Sequence, residues 1–187
     1  MRHALAAACL AALVTVPAAG QDALAITLTE ARASITGAWA GQLQYLDYSS
    51  GTWEGIPVTV TVTLEGDGNT IVRRATFDDG PRVGNVFITS LAMLGADGTT
   101  EYSTGFRAGR TPEISTYTLA LTAASDDEHW TMLATREGTD DERPARIRET
   151  TTRDGARLVT LKEVDLLDDT DEQWFSRNRT VLEQTAG

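Results

Sequence analysis

Four arginines at two-residue spacing are the side chains in this sequence best placed to do chemistry: Arg146 and Arg148 flank Ile147, and Arg177 and Arg179 flank Asn178. On an extended strand each pair projects from a single face. Two guanidinium groups inside a fold need an anion, and their planar fork suits a carboxylate or a phosphate. Phe175 and Val181 share the parity of Arg177 and Arg179 and favour an inner face, whereas Trp174 and Leu182 on the other parity favour the opposite. If the arginines point outward, the many acidic side chains of the chain supply their partners. The ligand site expected from this pattern holds an anionic end at Arg177 and Arg179, with Arg146 or Arg148 as a second contact, and an apolar body against Tyr45, Phe87, Leu91 and Tyr102.

Other chemistries find little support. Beyond residue 20 there is one histidine, His129, and no cysteine, which excludes a zinc site built from those two residue types. A Ser-His-Asp arrangement would have to combine His129 with Ser90 or Ser103, and no Gly-x-Ser-x-Gly elbow presents a nucleophile. The acidic clusters at 126–128, 140–142 and 165–172 carry oxygen ligands of the kind calcium takes, but lack EF-hand spacing and its central glycine, and read as solvated turns. Neither a metal, a cofactor nor an enzymatic activity is expected.

Met1-Arg2-His3, an apolar run from Ala4 to Val16 and a small-residue exit ending at Gly20 have the form of a secretory signal peptide, with Cys9 inside the apolar run. The run is shorter than the ~20 residues that span a bilayer. The expected organisation is therefore a signal peptide at 1–20 and one domain at 21–187, in the periplasm or outside the cell, with no disulfide. All 27 acidic residues and 15 of the 16 basic ones lie beyond residue 20, so without Arg2 the formal charge moves from -11 to -12. Such a charge disfavours nucleic acid and anionic membranes as partners.

The elements that must position these groups are strands. In Thr36 to Tyr48 the residues Trp39, Gly41, Leu43 and Tyr45 recur at every second position and aim at one interior. Before it, Thr27 and Glu30 have capping-box spacing, which predicts a short helix over Leu28 to Ser34, with Gly37 turning the chain into the strand. Asp-Gly pairs at 67, 79, 97 and 154 mark tight turns. A turn at Asp67-Gly68 sets Leu64 opposite Ile71, Val62 opposite Arg73, Val60 opposite Ala75 and Val58 opposite Phe77, with only Arg73 breaking the apolar face. A turn at Asp97-Gly98 sets Met93 opposite Tyr102, Leu91 opposite Thr104 and Thr89 opposite Phe106. Further runs lie at 115–122, 129–135, on both sides of Asp154-Gly155, and from Trp174. Trp39 and Trp130 fall in alternating apolar runs and are expected in the core, whereas Trp53 sits in a glycine-flanked loop. The expected fold is all-β, an up-and-down antiparallel barrel of about eight to ten strands with a short N-terminal helix; an open sandwich has the same rhythm.

The short helix, the Gly37-x-Trp39 opening of the first strand, the meander and the arginines of the last strand resemble the lipocalin and fatty-acid-binding group of calycin barrels. The resemblance implies that Trp39 packs near a barrel end under an arginine from the C-terminal part of the chain, with Arg177 or Arg179 at the matching place. It also implies a carrier of a small apolar or amphipathic molecule. The alternative is an envelope protein-interaction module with a filled barrel and no small-molecule ligand, working through rim loops such as Ser49 to Gly55.

Overall fold

The computed structural model describes residues 25–168 and 171–186, so the expected signal peptide lies outside the described residues. The chain enters through helix α1 (Leu28–Ser34), whose start is fixed chemically: Thr27 Oγ1 accepts from the Glu30 amide at 3.2 Å, and the Glu30 carboxylate accepts from the Thr27 amide at 2.7 Å. This is the expected capping box, and it holds a helix too short to stand alone. Gly37, at φ 127°, then turns the chain into the first strand.

Ten strands follow: β1 (Gly37–Asp47), β2 (Thr52–Leu64), β3 (Thr70–Asp78), β4 (Asn85–Leu94), β5 (Thr100–Arg107), β6 (Ile114–Ala124), β7 (His129–Asp140), β8 (Arg143–Asp154), β9 (Arg157–Leu166) and β10 (Trp174–Gln184). Each pairs antiparallel with its neighbours, and β1 pairs with β10 from Trp39 opposite Gln184 to Tyr45 opposite Asn178, so the sheet closes into a barrel. Closure leaves no unpaired edge for another chain to extend. The expected all-β barrel with its N-terminal helix is what forms, at the upper end of the expected strand number.

Three of the four Asp-Gly pairs lie at hairpin turns. At the first two, the register is the expected one, with Val62 opposite Arg73 and Met93 opposite Tyr102. In each, the aspartate accepts two backbone amides and one threonine hydroxyl: Asp67 from Asn69 and Thr70, Asp97 from Thr99 and Thr100. At Asp154 the two turn residues are Gly155 and Ala156, with Asp154 opposite Arg157. Asp79-Gly80 instead opens a one-turn helix, α2 (Gly80–Val83), which connects β3 to β4.

Closure also demands one close approach. A Cβ on Gly41 would lie 1.9 Å from the Val181 carbonyl oxygen, so the gap that glycine leaves in the β1 pattern is filled by the backbone of β10. The main core, Trp39, Val58, Val60, Ile71, Phe77, Trp130, Leu158 and Leu182 among it, sits inside the barrel towards the end where α1 lies. Burying side chains of this size contributes roughly 1.5 to 3 kcal/mol each. A second cluster, Ala145, Ile147 and Val164, sits towards the opposite end of β8 and β9.

Candidate functional site

Pairing alternation decides which side chains reach the lumen. Val62, Arg73, Ser90 and Gly105 stand opposite one another in sequence around one side, and Ala134, Glu149, Lys162 and Asn178 around the other. They surround a cavity of about 370 Å³, within the span of about 300 to 1,000 Å³ usual for small-molecule sites. Its lining divides by chemistry. Trp39, Trp130, Met132, Leu158 and Leu182 form an apolar floor over the helix, while Ser90, Ser103, Thr151 and Thr160 bring hydroxyls above it.

The floor is held by α1. Arg32, 2 % exposed, sends Nε to Glu101 Oε2 at 3.0 Å and donates to the carbonyls of Asn69 and Ala92 at 3.1 Å each. The Trp39 indole donates to the Ile35 carbonyl at 2.9 Å, and the Trp130 indole to Ser34 Oγ and the Asp127 carbonyl. Burial raises the Glu101 pKa from the ordinary carboxylate value, and the Arg32 charge opposes the rise. Trp39 does lie under an arginine, but the residue is Arg153 of β8, with its guanidinium 5.8 Å from the ring centroid and hydrogen bonds to the Ser34 and Gly155 carbonyls. Neither Arg177 nor Arg179 covers it, because both belong to the part of β10 remote from α1.

The four arginines singled out in the sequence do not line this cavity. Arg146 and Arg148 lie on the outer wall: Arg146 Nε donates to Asp165 at 2.8 Å and Arg148 Nε to Glu163 at 2.7 Å, and the Arg148 guanidinium stands 4.1 Å from the Trp174 ring centroid. Asp165 is held further by the Gln173 amide, the largest cause of its lowered pKa. Arg177 and Arg179 do not share a face, because a bulge between Ser176 and Asn178 interrupts the alternation. Arg179 is outside, donating to Gln44 at 2.6 Å and lying 4.4 Å from the Trp53 ring centroid. Trp53 is therefore the first part of β2 and a stacking platform, where a loop had been expected. Arg177 reaches the mouth opposite α1, pairing with Asp140, which also meets Lys162 at 3.4 Å.

The expected apolar contacts are also placed elsewhere. Tyr45 has inward parity but stands at the mouth, 50 % exposed. Phe87, Leu91 and Tyr102 project from the outer wall, with Met93 and Phe106 beside them, because on β4 and β5 the opposite parity, Ser90, Ala92, Glu101 and Ser103, faces the lumen. His129 stands at the first position of β7, with Nδ1 2.8 Å from Asp126, whose hydrogen bond raises the imidazole pKa. It does not meet Ser90 or Ser103, which line the cavity.

Two interior groups were not placed in the expected ligand site. Arg73 projects into the cavity from β3 and Glu149 from β8, five strands away and so on the opposite wall of the ten-stranded barrel. Glu149 accepts from the Tyr117 hydroxyl at 3.3 Å. Burial lowers the Arg73 pKa, with the Glu149 charge acting against it. Among the described residues, no hydrogen bond or ion pair reaches the Arg73 guanidinium. The signal was present in the sequence, since Arg73 is the one residue that breaks the apolar face of its hairpin.

No family model matches the chain and no curated protein matches it. Among solved structures it is similar to the crystal structure of Rv2717c from M. tuberculosis, with a TM-score of 0.58 and 12 % identity over 84 % of this chain and 96 % of that one. What the chain shares with Rv2717c is the barrel fold.

Proposed function

We propose that this protein is an exported barrel that carries one small, largely apolar molecule with a polar end inside its lumen. The observation that carries the reading is the cavity itself: about 370 Å³, an indole-walled floor, and a few convergent polar groups above it, the combination usual for small-molecule sites. A barrel acting only through its rim would gain nothing from leaving this space unfilled, because empty volume forfeits packing energy. The leader-like start of the sequence supports export. Native mass spectrometry of the protein purified from its host tests the reading. One non-covalent small molecule per chain is expected, and Ala134→Phe, which fills the cavity wall, should abolish it. An empty chain, or a guest retained by the filled variant, overturns it.

A second reading, an envelope protein-interaction module, draws on the outer wall, where Phe87 is 65 % and Met93 46 % exposed. Exposed apolar groups gathered on one face mark interaction surfaces. Capture of a partner that is lost on Phe87→Ser, with the cavity empty, would favour it.

A further inference from the structure

Resting on the cavity-binding reading above, the chemistry of the guest's polar end follows from the groups at the waist of the lumen. Among the described residues, Arg73 offers a fan of N–H donors with no acceptor in hydrogen-bond reach, and Glu149 offers carboxylate oxygens of which one is met, by Tyr117 at 3.3 Å. They face each other from opposite walls and no ion pair joins them, although the Glu149 charge acts on Arg73. A guest between them meets a donor on one side and an acceptor on the other.

Charge then selects among such guests. Arg32 pairs with Glu101, Lys162 and Arg177 share Asp140, and Arg136 lies over the Tyr117 ring at 5.3 Å, so that at the waist itself the two charges facing each other without an ion pair are Arg73 and Glu149. A carboxylate at the waist would gain Arg73 but be held against Glu149 in a site where like charges are costly. A neutral group with an acceptor and a donor on neighbouring atoms satisfies both walls and adds no charge. We propose that the waist is a two-sided recognition site for an uncharged amide-like end, such as a primary amide, a ureide or the lactam edge of a heterocycle, with Arg73 donating and Glu149 accepting. The guest's apolar part lies below, against Trp39, Trp130 and Met132.

Titration calorimetry with three probes of one chain length tests this: octanamide, methyl octanoate, which lacks the donor, and octanoate, which carries the charge. For the unaltered protein octanamide should bind roughly tenfold or more tightly than either other probe. Glu149→Gln should weaken octanamide by about tenfold and strengthen octanoate, and Arg73→Met should weaken octanamide by a similar factor. If Arg73→Met does not fold, Arg73→Lys replaces it, and the probe ranking on the unaltered protein needs no variant. Equal binding of the three probes, or octanoate binding best, overturns the two-sided site and leaves the cavity reading standing. Binding of none overturns both.

Discussion

The Arg153 guanidinium lies over the Trp39 indole, 5.8 Å from the ring centroid, and ties the two to helix α1 through the Ser34 carbonyl. Strand β1, strand β8 and the helix are thereby joined at one end of the barrel. Arg153→Met keeps the apolar stem but leaves the Ser34 and Gly155 carbonyls without their donor. A loss of about 1 to 3 kcal/mol is expected in urea denaturation, from two part-buried acceptors left without their donor. A loss below about 0.5 kcal/mol would mean that α1 is not held this way.

Arg32 and Glu101 form the second tie between helix and barrel. Removing one partner leaves a charge inside the fold, so Arg32→Met should cost about 3 to 5 kcal/mol. The double variant Arg32→Met with Glu101→Gln should recover a good part of that loss. A double-mutant cycle by chemical denaturation checks it, and additive losses would refute the coupling.

Stability should fall in acid through the turns. Hydrogen bonds from Thr99 and Thr100 hold the Asp97 pKa down to about 2, and those from Ser49 and Ser50 do the same for Asp47. A carboxylate whose folded pKa is depressed contributes fully above its unfolded value and loses that contribution as pH falls through the folded one. The loss therefore begins below about pH 4, and nears completion around the folded value of about 2. Glu101 acts in the opposite sense: its raised folded pKa makes its own contribution grow as pH falls from neutral towards its unfolded value. Thermal midpoints measured between pH 7 and 2 should show a shallower acid decline in Asp97→Asn than in the unaltered protein.

Gly41→Ala should prevent proper closure of the barrel. The added methyl would stand 1.9 Å from the Val181 carbonyl oxygen, a backbone atom with no room to retreat. A cost of about 3 kcal/mol or more is expected, at the upper end for overpacking. Hydrogen exchange should show the loss of protection concentrated in β1 and β10.

Outer-wall arginines should matter little to a guest. Arg148→Ala and Arg179→Ala remove stacking on Trp174 and Trp53 and one exposed or half-buried pair each. A stability change of about 1 kcal/mol or less is expected. Octanamide binding measured by calorimetry should stay within about twofold, and a larger loss would return these residues to the site.

The sequence by itself determined the local pairings. The side-chain period of two, combined with a turn fixed by Asp-Gly, leaves one register that matches apolar to apolar, which is why Val60 meets Ala75 and Met93 meets Tyr102 as read. Thr27 and Glu30 lie within one helical turn, so the cap was legible too. What it did not determine is which of a strand's two faces is concave. On β5 the apolar face, Tyr102 and Phe106, is the outer one and the lumen receives Glu101 and Ser103, while β4 carries apolar residues on both faces, with Phe87, Leu91 and Met93 outside and Val86, Ile88 and Ala92 inside. Alternation is symmetric between faces, and only the closing of β1 on β10 fixes the direction of curvature. Nor does spacing reveal a bulge, so Arg177 and Arg179 share a face in the sequence and lie at the mouth and on the outer wall in the fold. The opposition of Arg73 and Glu149 across the lumen is the furthest from local pattern, because it exists only once ten strands close and set β3 across from β8.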